Sequence, residues 1–317
     1  MSGQGTEGSG KRAKEREKVL LEAAEWLAKA IDNRMSTDEK ARFEAWLEND
    51  TEHREAYQRI QRIWQGSGEI PEIKKRRDRL TKKITRRDVG KAAILLATVG
   101  LGTRYLLDSP LADFRTGQGE RKTIQGADGS VFELAPLTRM SATFTDHARS
   151  VQLFQGEAYF KVSPDRRPFS VTAGKGLIRA LGTAFSVKYR NGVSRIVVEE
   201  HATQVQLGDS AAVVGAGEEL AYQSVLGPLR KVDPDDALAW RNGRLVFDGE
   251  PLGEVVETLN LWHAGRIVVM NDGLVQRPVT LIINTDRIGS VGVQLESALP
   301  IRVVQITPLL MFLFPAS

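Results

Sequence analysis

The chain contains no cysteine, so a disulfide framework, a thiolate metal centre and a cysteine nucleophile are excluded. Histidine is scarce as well. The four residues, His53, His147, His201 and His263, are scattered, with no HExxH or other metal-ligand spacing. A phosphate-binding P-loop, a dinucleotide fingerprint and a GxSxG elbow are all missing. Carboxylates abound, but none stands out in the sequence as a catalytic pair. These absences point away from a conventional enzyme and from a bound cofactor.

Charge is unevenly spread. Residues 1–73 carry 12 Lys/Arg against 15 Asp/Glu, a net of −3. Residues 74–91 carry 10 basic against 2 acidic, a net of +8, and the remainder is close to neutral. Neither flank has the basic balance of a nucleic-acid-binding domain, so no direct nucleic-acid partner is expected. The basic run includes Lys82, Lys83, Arg86, Arg87 and Lys91, and an apolar run, Ala92 to Leu107, follows it directly. Sixteen residues is short against the roughly 20 that a spanning helix needs. Arg104 can snorkel and Tyr105 can sit at the interface. We therefore expect a single transmembrane helix at 92–107, with a buried soluble helix as the alternative. The positive-inside rule then puts residues 1–91 in the cytoplasm and residues 108–317 outside. Thr85 to Lys91 also resembles a twin-arginine signal, but its position deep in the chain fits an uncleaved anchor better.

Before this pivot the apolar spacing is helical. A disordered tail is expected over 1–18, then a small all-α bundle over 19–66 and a basic juxtamembrane segment over 67–91. Val19, Ala23, Trp26, Leu27, Ala30 and Ile31 mark a first helix. Ser36 with Glu39 is a capping box for a second, and Asp50 or Thr51 can cap a third that ends at Gly66. Trp26, Trp46, Tyr57 and Trp64 supply much aromatic surface for so small a bundle. They are either core or partly exposed anchors for a partner protein.

After the pivot the pattern changes to period-two alternation, as in Ala158/Phe160/Val162 and Phe185/Val187/Tyr189. Turn signals such as Asp128-Gly129, Ser163-Pro164 and Asn191-Gly192 punctuate it. The expectation is an all-β sandwich or roll over 108–227 and a linker over 228–239. Over 240–317 the order reads as an α+β module of the β-α-β-β-α-β type.

These pieces resemble the FecR-type transmembrane anti-sigma regulators of Gram-negative bacteria. The likeness rests on Ala23-Ala24-Glu25-Trp26-Leu27, on Phe43 with Trp46-Leu47, and on His53-Arg54-Glu55-Ala56-Tyr57. It continues through Thr116-Gly117-Gln118-Gly119-Glu120-Arg121, Asp128-Gly129-Ser130, Gly156-Glu157-Ala158-Tyr159-Phe160-Lys161-Val162, Arg167-Pro168-Phe169 and Ala180-Leu181-Gly182-Thr183-Ala184-Phe185. Glu200-His201 departs from the family's usual Glu-Gly turn. The resemblance implies an inner-membrane protein whose cytoplasmic bundle binds an extracytoplasmic-function sigma factor. Its periplasmic end would meet the signalling domain of an outer-membrane TonB-dependent receptor that takes up iron. It further implies possible self-cleavage between Gly182 and Thr183, as in some family members. The alternative is an anchored, β-rich ligand-binding or structural protein of the envelope.

Overall fold

In a computed structural model the described residues are 5–31, 35–66 and 112–316. The expected membrane helix at 92–107 and the basic run before it lie outside them. Among the described residues no helix is long and apolar enough to cross a membrane. The structure divides into two compact units, which meet in sequence between Val246 and Phe247. One holds the strand-rich middle of the chain; the other holds the amino-terminal helices and the residues from Phe247 onward.

Three helices open the chain: α1 (Gly5–Ile31), α2 (Thr37–Asn49) and α3 (Thr51–Gly66). The expected disordered tail over 1–18 is corrected from residue 5 onward, because α1 already begins at Gly5. The physical reason is that Lys11 to Lys18 is almost wholly Lys, Arg, Glu and Ala, all strong helix formers. The Ser36 capping box forms in full, with Ser36 Oγ accepting from Glu39 N and the Glu39 carboxylate accepting from Ser36 N. Asp50 Oδ1 accepts from Glu52 N at 2.9 Å and so caps α3.

The middle unit contains β1 (Phe114–Arg115), β2 (Lys122–Gln125), β3 (Val131–Leu134), β4 (Arg139–Phe144), β5 (Arg149–Lys161), β6 (Phe169–Ala173) and β7 (Gly176–Ala180). It continues with β8 (Ala184–Arg190), β9 (Val193–Glu200), β10 (Ala202–Leu207), β11 (Ser210–Gly215), β12 (Glu218–Tyr222) and β13 (Arg230–Lys231). The long strand β5 belongs to two sheets at once. Its first half pairs with β4 and, in parallel, with β6; its second half pairs with β3 and β8. The expected all-β roll is thus two sheets folded about one shared strand.

The bend falls at Gly156, whose φ is +97°. A Cβ there would come within 2.4 Å of Thr138 Cα, so only glycine fits. Phe132, Phe160, Phe169 and Phe185 fill the space between the sheets with tilted and edge-on ring contacts.

The expected linker over 228–239 is also corrected. It carries β13 and a short helix α4 (Pro234–Ala237), started by Asp233, and a 3₁₀ turn over Ala239–Asn242 follows. Tertiary contacts described below hold this stretch to the middle unit.

The carboxy-terminal module contains β14 (Arg244–Pro251), α5 (Leu252–Trp262), β15 (Arg266–Val269), α6 (Asp272–Val275), β16 (Pro278–Asn284), α7 (Val291–Ala298), β17 (Ile301–Thr307) and β18 (Leu310–Pro315). Its order is the expected α+β alternation with one short helix and a last strand added. The strands form two small sheets, β14-β16 and β15-β18-β17.

Candidate functional sites

The aromatic residues of the bundle face largely one another. Phe43 of α2 lies 5.5 Å from the Trp26 ring and 5.0 Å from the Tyr57 ring, and so joins all three helices. Trp46 stacks on His53 at 4.4 Å and donates its Nε1–H to Glu22 at 2.8 Å. Trp64 is buried in the core with Ile60 and Ala56. Burial raises the pKa of the Tyr57 phenol, which stays protonated. Trp26, Trp46 and Tyr57 remain half-exposed around this cluster.

Gly182 and Thr183 sit where the chain crosses from one sheet to the other. Ala180 pairs with Thr203 of β10, whereas Ala184 pairs with Glu200 of β9. Gly182 has φ +71°, is exposed, and has open space where a Cβ would stand. Thr183 is buried, and its hydroxyl donates to the Glu200 carbonyl. Facing this crossing, His201 turns the corner between β9 and β10 with φ +60°. A left-handed residue is required there, a conformation that glycine adopts without the steric cost a Cβ brings.

Sequence reasoning missed a third site. Alternation along the strands puts Glu133 of β3, Glu157 and Tyr159 of β5 and Glu199 of β9 on the outer face of one sheet. The pair Trp240-Arg241 closes over them. The Arg241 guanidinium lies 3.4 Å from the centre of the Tyr159 ring, bonds Glu133 at 2.8 Å and reaches Glu199 at 3.3 Å. Trp240 Nε1 donates to Glu157 at 2.8 Å. Arg121 Nη1 donates to the backbone carbonyls of Trp240 and Arg241. Burial, and the hydrogen bond that Tyr159 donates to Glu199, push the tyrosine pKa far above its ordinary value. Tyr159 therefore remains a donor.

This clasp has a measurable consequence. Arg241→Ala removes a cation–π contact and two ion pairs at a site only partly open to water, and should cost about 1–3 kcal/mol. Limited proteolysis should then cut within 223–243 sooner than in the wild-type chain. An unchanged cleavage rate there would mean that Arg241 does not hold the segment.

The fold joins a three-helix segment, a two-sheet roll hung on one long strand, and a small α+β module. Residues 112–202 match the family model described as FecR protein, and residues 22–63 match one described as a domain of unknown function, DUF4880. The chain thus contains a segment similar to the FecR family and, before it, a helical segment similar to DUF4880. Two crystal structures of a protein described as a candidate anti-sigma factor from Parabacteroides distasonis share its fold, at 1.65 and 2.50 Å resolution. Each is 23% identical with a TM-score of 0.57 and covers 64% of this chain; the matches span 99% and 98% of those chains. No curated protein matches the chain.

Proposed function

We propose that this protein is a single-pass inner-membrane anti-sigma regulator. In this reading residues 19–66 hold an extracytoplasmic-function sigma factor in the cytoplasm, and the FecR domain and carboxy-terminal module lie in the periplasm. The observation that carries it is the order of parts: an acidic helical region with a family match, a net +8 run and an apolar run, then the FecR domain. The similarity to structures described as candidate anti-sigma factors supports the same reading.

The module over 240–317 would meet the signalling domain of an outer-membrane TonB-dependent receptor, with iron uptake as the regulated process. Its own small sheets suit a docking module, and strand addition at a sheet edge is one available mode. The sigma factor is then freed when the receptor is loaded. The −3 charge of residues 1–73 suits a basic partner, because complementary fields speed encounter and suppress wrong partners.

Topology is the direct test of a relay. A phosphatase fusion at residue 220 should be active in the periplasm, and one at residue 60 inactive. The reverse pattern would end the proposal.

A further inference from the structure

Helix α1 is apolar on two sides. At 100° per residue, Val19, Ala23 and Trp26 fall on the side of Glu22 and Lys29. Those two residues bond Trp46 and Glu39, so this side faces the bundle. Leu21, Ala24 and Ala28 fall on the other side, together with Glu17 and Glu25. The bonds to α2 lie on the first side, and α3 also packs along α1. In the structure the second is covered by β17 and β18 of the carboxy-terminal module. Val304, Ile306, Phe312 and Phe314 join the helix residues in one apolar core. At its margin Glu25 pairs with Arg302, and Glu17 accepts from Asn271 Nδ2 at 3.1 Å.

This contact requires α1 and the module to share a compartment. In the topology proposed above they lie on opposite sides of a bilayer, and the second face of α1 is left without that cover. We propose that the sigma factor takes this face, through an apolar surface that sets a guanidinium or ammonium group against Glu25. The inference rests on the anti-sigma reading and assigns its binding surface to Leu21, Ala24, Glu25 and Ala28. The module contact shows what the face accepts: four apolar side chains with one arginine at their edge. The aromatic side is less suited, because Phe43 and His53 already occupy the rings of Trp26, Tyr57 and Trp46.

The test uses the full-length tagged chain, solubilised from the membranes of its own host, with captured proteins identified by mass. Wild type should bring down a sigma factor. Leu21→Arg and Ala28→Arg, at half-exposed positions, should each lower the yield at least about tenfold. Glu25→Arg should lower it most at low salt. Circular dichroism must show that the helices are retained, and Glu25→Arg guards against unfolding because it leaves the apolar core untouched.

Undiminished capture by folded variants would overturn the inference while leaving the anti-sigma reading intact. So would a loss confined to Trp26→Ala. A wild-type chain that captures no sigma factor would instead remove the reading itself. The absence of cysteine allows one more check. If Glu25→Cys/Arg302→Cys is joined by a short bis-maleimide in intact cells, the module occupies the face there, and the assignment fails. No cross-link is the expected result.

Discussion

Arg149→Met should destabilise the FecR domain by about 3–5 kcal/mol, because it strands a buried carboxylate. Arg149 and Asp128 pair at 2.6 Å with side chains 4% and 0% exposed. The same guanidinium donates to the carbonyls of Ser163 and Arg167, and Asp128 also accepts from the Ser130 hydroxyl and N–H. Three separate segments converge on this ion pair: the 126–130 turn, the 163–168 loop and the start of β5. A domain of this kind has about 5–15 kcal/mol in total, so most of its margin would be lost. Asp128→Asn combined with Arg149→Met should recover part of the loss, since no unpaired charge then remains buried.

The pH dependence has a definite sign. Burial alone would raise the Asp128 pKa, but the hydrogen bonds from Arg149 and Ser130 outweigh it and leave the carboxyl below its ordinary 3.8. Its contribution is therefore full above that value and is lost as the pH falls through the lowered folded-state pKa. Urea denaturation followed by circular dichroism measures both effects. A loss under about 1 kcal/mol for Arg149→Met would show that the pair is not the tie described.

The second large effect is all or none: on the family resemblance, the chain should break between Gly182 and Thr183. The Thr183 hydroxyl oxygen would attack the Gly182 carbonyl carbon, the C–N bond would open, and the amide nitrogen would take the proton. Water would then hydrolyse the resulting ester, leaving a carboxylate on Gly182 and an amine on Thr183. The local geometry is compatible, since Gly182 is exposed and left-handed and has room on its Cα side. The buried hydroxyl is tied to the Glu200 carbonyl and must leave it to attack.

The two products should stay together, because β8 remains paired with β5 across the cut. Gel filtration should show one particle and denaturing electrophoresis two fragments, the second beginning at Thr183. Thr183→Ala should stay whole, and Thr183→Ser or Thr183→Cys should still cut. Purified wild-type protein that remains one chain after long incubation would retire this expectation.

What was legible in the sequence was what local chemistry decides. The Ser36–Glu39 box, the end of α3 at Gly66 and the alternation at the start of β5 each depend on residues a few positions apart, and all three stand in the structure. The start of α1 was not legible, because the glycine- and serine-rich terminus has weak helix propensity of its own while the strong helix formers follow it at Lys11 to Lys18. The clasp was not legible at all. Trp240 and Arg241 meet partners 42 to 120 residues away, and only the folded sheet brings Glu133, Glu157 and Glu199 to one face. The odd His201 was legible as a departure, but its meaning needed the backbone. Its φ of +60° marks a position that favours glycine, so His201→Gly should relieve about 1 kcal/mol of strain.

The central claim is that the helical bundle holds a sigma factor. The most direct measurement is transcription by reconstituted RNA polymerase with the host's extracytoplasmic-function sigma factors, each assayed with and without the full-length protein in detergent. The account predicts that transcription driven by one sigma factor falls as the protein is added, and returns when Glu25→Arg replaces the wild-type chain. Full transcription from every such factor at saturating protein would contradict it.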